Sequence, residues 1–595
     1  MKLQKILKVW SGLALLLLLS ALFCPVGMQA QGLGEERLPQ RSPKVPKKPP
    51  TPAPSVQSPT PQTNPEDDNV LIPRLTGIVI VKSRDEIKEE GVSGVTGIKV
   101  VNIPLLSGPD FQKLGYWYLN QSVSINDIRS LENDIILYCR AKNRPLVDII
   151  LPPQNLSTGV IQLWFLEGKV GKITVNNPGH KWFSDQFITR QIRLRPGDVV
   201  DMQKLTDDLD WVNRNPFRQV NTVFKAGDDL GKSDIDLQVE DRIPLRAYFG
   251  YENTGTEFTG QDRLLAGFNW GNVFGLDQQL NYQYTTDVDF RDISAHSASY
   301  LIPLPWRHNL AIMGAYADAT AEFPNTSALS KGNSYQASLR YSIPQRVGKN
   351  YIQEITGGFD FKSTDNNLEF GGQTALSTTR IQVDQFELGY SGLLLDRAGQ
   401  TSLGLEGYYS PGGLTSQNND ATFDQLRPDS KAHYLYGRLT AERLTRLPAD
   451  FSWVLHFFGQ YSSQRLTPSE EIGIGGFGTV RGYFERFVNA DNGWIVNNEL
   501  RTPTFPVLKR FGWFPYDDRL QFLVFFDYGT VQIEDFNITD AGAGLMKNTS
   551  LASYGAGLRY DLRQNLSVRF DYGIELMNKE QGRDSGGHIG VLLSF

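Results

Sequence analysis

Two hydrophobic rhythms divide this chain. Between about Leu75 and Asp241, short apolar runs alternate with helical periodicity, and the order occurs twice. The first unit reads as a strand at Ile98 to Val101 and a helix at Asp110 to Asn120. A second helix opens at Ser124, with Asp127 three residues on as a capping-box pair. Ile128, Leu131, Ile135 and Tyr138 then share one face of it. Strands at Leu146 to Leu151 and Gly159 to Leu166 close the unit. The second unit repeats this: a strand at Val170 to Val175, a helix capped by Ser184, and a helix with Leu205, Leu209 and Val212 on one face. Strands at Val220 to Lys225 and Ser233 to Glu240 follow. Two successive β-α-α-β-β units of α+β character are therefore expected.

After Asp241 the helical period stops and strict alternation begins. Leu245, Ala247, Phe249 and Tyr251 alternate with Arg246, Tyr248, Gly250 and Glu252. Tyr554 to Leu562 and Leu566 to Ile574 behave alike, one face aromatic and aliphatic, the other carrying charges of both signs. A soluble β-sandwich also alternates. Two features favour a membrane barrel: strands of about ten residues, the length a tilted spanning strand needs, and connections that alternate short and long. Arg446 to Asp450 and Arg563 to Asn565 are short; Ser410 to Lys431, Ser462 to Asn492 and Val531 to Ser550 are long. About sixteen strands fit between Pro244 and Phe595. An even number lets the last pair with the first and leaves no open edge, as the bilayer requires. In the final strand Ile589, Val591, Leu593 and Phe595 share one face, a pattern that resembles the assembly signal of outer-membrane barrels.

Composition sharpens this reading. The 56 glycines and 11% aromatic residues suit many strands and turns. A net charge of −6 without a basic domain argues against a nucleic-acid partner. Lys2, Lys5 and Lys8, the apolar Leu15 to Leu19, and Gly27 to Ala30 make residues 1–30 a secretory signal peptide. Residues 31–74 form a proline-rich, disordered linker, typified by RSPKVPKKPPTPAPSVQSPTPQTNP at 41–65. Past the signal only Cys139 remains, on an apolar helix face, so no internal disulfide is expected. The domain expectation is thus 75–167 and 168–242 for the two units, and 243–595 for the barrel.

Enzyme chemistry finds no constellation. The six histidines form no H-E-x-x-H, and the chain contains no C-x-x-C, G-x-S-x-G or Walker A string. Gly473-x-Gly475-x-x-Gly478 matches the dinucleotide fingerprint, but a turn and a strand are expected after it, not a helix. We expect no catalytic residues, no metal and no cofactor. The glycines instead give freedom to a loop that folds back on itself.

That loop, 463–492, joins the eleventh and twelfth strands and carries Val480-Arg481-Gly482-Tyr483. In strand thirteen, Phe522, Val524, Phe526 and Tyr528 face the lipid. Asp527 then faces the lumen, with Gly529 leaving room beside it; Glu499 of strand twelve points inward too. A loop dipping into the lumen brings Arg481 to these carboxylates, where its planar fork suits bidentate pairing. On spacing alone, a solvated loop arginine is the other reading.

VRGY at Val480 to Tyr483 resembles the inward-loop signature of the outer-membrane assembly-factor superfamily. FFDYG at Phe525 to Gly529 is similar to its partner motif, whose aspartate pairs with the loop arginine. The two α+β units then resemble POTRA domains. Within the superfamily the chain resembles the two-partner secretion transporters (TpsB), through LPPQNLSTGVIQLWFLEGKVGKI at Leu151 to Ile173, NRNPFRQV at Asn213 to Val220, and DRIPLR at Asp241 to Arg246. The resemblance covers nearly everything from Leu75 to Phe595. It implies periplasmic POTRA domains and a barrel in the cell outer membrane. It also implies transport of a large unfolded β-rich exoprotein captured by the POTRA domains, and insertion of the barrel by the barrel-assembly machinery. A barrel-assembly insertase of the same superfamily is the alternative. Family members often begin with a plug helix; residues 31–70 are too proline-rich for one, and Gly32 to Arg37 form at most a turn or two.

Overall fold

The computed structural model describes residues 68–595, apart from 257–258, 323–328, 349, 365–379, 511–515, 543 and 581–582. The expected signal peptide, the linker up to residue 67 and the turn at Gly32 to Arg37 lie outside the described residues.

The first α+β unit is built on Gly77–Val81, whose sequence GIVIV is buried on both faces. It pairs in parallel with Gly97–Val100 on one side and Val160–Glu167 on the other, and Val147–Ile150 completes the four-stranded sheet antiparallel to the latter. This corrects the expected order. The strand near Ile98 is an edge strand, and the central strand comes earlier. A strand covered on both faces is a continuous apolar run, so it carries no alternation to reveal it. The helix Pro109–Tyr116 stops short of Asn120, which turns the chain at φ 65°. The helix Ile125–Ala141 carries the full Ser124–Asp127 capping box and buries Ile128, Leu131, Ile135 and Cys139 against the sheet.

The second unit has a three-stranded sheet. Lys232–Asp241 lies in the middle, parallel to Lys169–Asn176 and antiparallel to Arg218–Ala226. Ser184 and Asp201 cap the helices Asp185–Gln191 and Met202–Val212. Leu205, Leu209 and Val212 pack on Val220, Ile235 and Leu237.

Sixteen antiparallel strands then close into a barrel, from Leu245–Glu252 to Ser585–Ser594. Closure runs through Phe249–Leu593 and Tyr251–Val591, so neither terminal strand keeps a free edge along that seam. Alternation sorts the faces. In the thirteenth strand, Asp518–Gln532, Phe522, Val524 and Phe526 are exposed outward while Leu523, Phe525, Asp527 and Gly529 are buried inward. The second α+β unit touches the short connections of the barrel. Asn215 Nδ2 donates to Asp277 Oδ1 at 2.7 Å, Arg307 Nη2 lies 2.7 Å from Asp208 Oδ1, and Arg346 pairs with Asp210. The long connections therefore lie at the barrel's other end.

Candidate functional site: the inward loop and its seat

The eleventh strand, Ser452–Ser462, and the twelfth, Asn492–Arg501, are joined by a loop that folds into the lumen. Its arms form a small hairpin, Ile472–Ile474 against Val488–Ala490. Apolar side chains of this hairpin pack on the inner wall: Ile472, Ile474, Val480 and Tyr483 join Phe458, Ile495, Val531 and Leu551 in one buried cluster. Burying this face fixes the hairpin in place and excludes water from the tip beyond it. Gly475 and Gly476 turn the chain at φ 103° and 104°, and a side chain on Gly475 would meet the Phe484 carbonyl oxygen at 2.6 Å. This explains the glycine-rich run. The residues after Gly478 form turns and then the strand Val488–Ala490, not the helix that a dinucleotide fingerprint needs.

At the tip, Arg481 is buried against the wall. Its Nε and Nη2 donate to Asp527 Oδ2 and Oδ1 at 2.7 and 2.8 Å, a bidentate pair. Nη1 donates to Glu499 Oε1 at 2.8 Å, and Asp571 Oδ1 stands 3.7 Å away. The guanidinium carbon lies 3.6 Å above the centre of the Phe525 ring. All three carboxylates have further donors. Asn497 Nδ2 reaches Asp527 Oδ1 at 2.8 Å, Arg501 Nε reaches Glu499 Oε2 at 2.9 Å, and Arg559 and Arg569 each approach Asp571 at 2.9 Å. Charge removed from water is thus paired and hydrogen-bonded on every side, the condition under which buried ions persist.

The neighbouring tip residues fit the wall through their backbone and shape. Gly482 sits at φ 102°, where an added side chain would meet Gly573 backbone atoms at 3.0 Å. Its N–H donates to His588 Nε2 at 2.9 Å. Tyr483 Oη donates to the Ala552 carbonyl at 2.9 Å. Gly529 makes the room expected of it: a Cβ there would stand 3.0 Å from Val480 Cγ2 and 3.2 Å from Ile474 Cγ2. The structure therefore gathers Val480, Arg481, Gly482, Tyr483, Asp527, Glu499 and Gly529 in one place.

The C-terminal set lies elsewhere. Val591 and Leu593 belong to the closing seam, and Phe595 exchanges backbone hydrogen bonds with Ala247. Ile589 shares their side of the strand, while His588 reaches the loop from the lumen side. Asp571, Arg559, Arg569, Asn497 and His588 were not singled out from sequence. Asp571 and Arg569 sit at inward positions of an alternating strand, but sequence does not say which inward residues face one another across a lumen.

A chain with this architecture has known counterparts. The family model for haemolysin secretion/activation proteins ShlB/FhaC/HecB matches residues 231–560, more than half of the chain. The heme/hemopexin transporter protein HuxB of Haemophilus influenzae is 22% identical over 476 residues, covering 78% of this chain and 81% of the relative. The outer membrane transporter CdiB of Dickeya dadantii is 25% identical over 410 residues, covering 67% and 70%. The hemolysin transporter protein ShlB of Serratia marcescens is 22% identical, covering 68% and 71%. Among solved structures, CdiB from Escherichia coli superposes with a TM-score of 0.70 at 17% identity, covering 92% of this chain and 94% of that one. BamA from Haemophilus ducreyi lacking POTRA domains 1-3 reaches 0.50 at 16% identity, covering 85% and 100%; these likenesses are of fold. A closed antiparallel barrel with apolar side chains outward is at home in the outer membrane. The chain belongs to the family of haemolysin secretion/activation proteins ShlB, FhaC and HecB.

Proposed function

We propose that this protein is the transporter of a two-partner secretion pair, carrying one large, unfolded, β-rich exoprotein from periplasm to cell surface. The observation that carries the reading is the inward loop, tied by Arg481 to the inner wall of a barrel whose short-turn end is docked to an α+β unit. A barrel serving as a passive pore has no use for periplasmic α+β domains. The transporter names borne by the relatives point the same way.

In this reading residues 75–167 and 168–242 are two periplasmic POTRA domains, and 243–595 is the barrel with its inward loop at 463–492. The POTRA domains capture the extended N-terminal region of the exoprotein by adding its strand to a sheet edge, where main-chain hydrogen bonds give affinity. The barrel forms the pore, with Val480, Arg481, Gly482 and Tyr483 holding one conformation of the loop on Asp527, Glu499 and Gly529. The outer face meets lipid. The strand face of Ile589, Val591, Leu593 and Phe595 is offered to the barrel-assembly machinery during biogenesis.

The test is a gene deletion followed by comparison of the secreted and outer-membrane proteins. Loss of one large secreted protein, with membrane barrels at normal levels, supports the reading and identifies the partner. A joint fall of many barrels assigns the chain to barrel assembly instead.

A further inference from the structure

The Arg481 pair holds the tip of the inward loop, but the base of that loop is held by a second and separate arrangement. Asp491, the last residue before the twelfth strand, is fully buried. Both of its carboxylate oxygens are doubly used. Oδ1 accepts from Arg427 Nη1 at 2.5 Å and from the Leu466 N–H at 2.7 Å. Oδ2 accepts from Arg427 Nη2 at 3.0 Å and from the Glu534 N–H at 2.9 Å. Four acceptances fill the capacity of a carboxylate. The donors come from three different long connections. Arg427 follows the short helix Asp420–Leu426 between strands nine and ten, Leu466 opens the inward loop, and Glu534 lies between strands thirteen and fourteen.

A second arginine crosses the same three connections. Arg465, also buried, donates through Nε to the Glu534 carbonyl at 3.0 Å and through Nη1 to the Pro428 carbonyl at 2.8 Å, and pairs with Asp540. Arg427 reaches Glu471 as well, with Nη1 2.8 Å from Oε1. At the surface Asn537 Nδ2 donates to Asp429 Oδ2 at 2.7 Å, joining the two flanking connections directly. An apolar cluster of Phe423, Leu426, Tyr434, Tyr436 and Leu466 packs beneath.

We propose that Asp491 is a positioning residue that couples the inward loop to the two flanking outer loops. The barrel then opens outward only when these three loops part. The inference rests on the transport reading above for its biological meaning, and on geometry alone for the coupling. Moving the loop base withdraws Leu466 and Asp491 together. That strands the Arg427 guanidinium and the Glu534 N–H unless their own loops move with it. Leaving such groups buried and unpaired is unfavourable, so the inward loop leaves its place only as the flanking loops part from it and let water reach these groups.

A reversible cross-link tests this without disturbing the buried groups. Asp429→Cys with Asn537→Cys places two thiols where the side chains already touch, while Cys139 is buried in the first α+β unit. The purified double variant is studied in planar bilayers, and in cells for export of the exoprotein. Under oxidation both channel openings and export are expected to be lost, and a reductant should restore both. Asp491→Asn, which keeps the shape but weakens the arginine pair, should open more often than the unaltered protein. Oxidised channels that open as often as reduced ones overturn the coupling. Channels that respond to the cross-link while no strain exports an exoprotein support the coupling and overturn the transport reading instead.

Discussion

Arg481 shows how one side chain can hold a loop in a lumen. Its bidentate bond to Asp527 uses a planar fork that lysine lacks, and its third nitrogen reaches Glu499. Removing one partner of a buried pair costs about 3–5 kcal/mol, less where water enters. That is enough to shift a loop held by a few contacts and too little to unfold a barrel of sixteen strands. Arg481→Ala should therefore assemble in the membrane, with the heat-dependent gel shift of a folded barrel, and lose most secretion. Arg481→Lys should fail nearly as badly, because one ammonium cannot satisfy both Asp527 oxygens at once. Normal export by either variant removes the role assigned to the arginine. Gly482→Ala tests the same seat through the backbone. It combines a φ of 102° with 3.0 Å approaches to Gly573, so secretion should fall even though no charge is lost. The resemblance of VRGY and FFDYG to the superfamily's loop and partner motifs marked Arg481 and Asp527, and inward parity, which is local information, put Asp527 and Glu499 on the lumen side. Sequence did not mark Asp571 or Asp491, because their partners are set by which strands and loops face each other in three dimensions.

At the scale of single elements, legibility followed periodicity. Strands with one face on lipid and one in the lumen alternate, so their positions could be read directly. The helix Ile125–Ala141 could be read too, from its capping box and its apolar stripe. Gly77–Val81 escaped, because a strand buried on both faces looks like any short apolar run. The same helix carries a prediction about pH. Glu132 is half-buried on it. Burial first, then the nearby Asp148, push its carboxyl up to about 7, with Arg129 opposing. Above the ordinary value near 4.5, the unfolded segment releases a proton that the folded helix retains. The stability of this unit is therefore full below that value and falls as pH rises through about 7. Amide exchange in residues 125–141 of the intact protein, corrected for intrinsic rates, should be faster at pH 8 than at pH 6. Glu132→Gln should remove the difference. An unchanged pH dependence in that variant assigns the effect to another group.

At the scale of the whole molecule, what passes from the α+β units to the barrel depends on how firmly the second unit is seated. The join is polar and specific. Arg218, buried, lies 3.1 Å from Asp277 on the turn between the second and third strands, and Arg214 Nη1 donates to Asn309 at 3.2 Å where the fifth strand begins. Arg307–Asp208 and Arg346–Asp210 extend the seat around the rim. Arg218 also donates to the Val212 carbonyl and lies over the rings of Phe183 and Phe187. Losing Asp277 thus leaves it partnered within its own unit. Asp277→Ala should accordingly loosen the docking without unfolding either part. The remaining ion pairs at Asp208 and Asp210 should keep the unit near the rim, so a single substitution broadens its position instead of releasing it. Adding Arg307→Ala and Arg346→Ala should complete the release. Distances between spin labels on the second unit and the barrel read this directly. A narrow distribution should widen in the single variant and spread further in the triple, with secretion falling in the same order. If the distances widen while secretion holds, a rigid seat is not needed to pass the exoprotein onward. If they stay narrow in the triple variant, the contacts left at the rim, such as Arg214 to Asn309 and Asn272 to the Trp182 carbonyl, hold the unit in place.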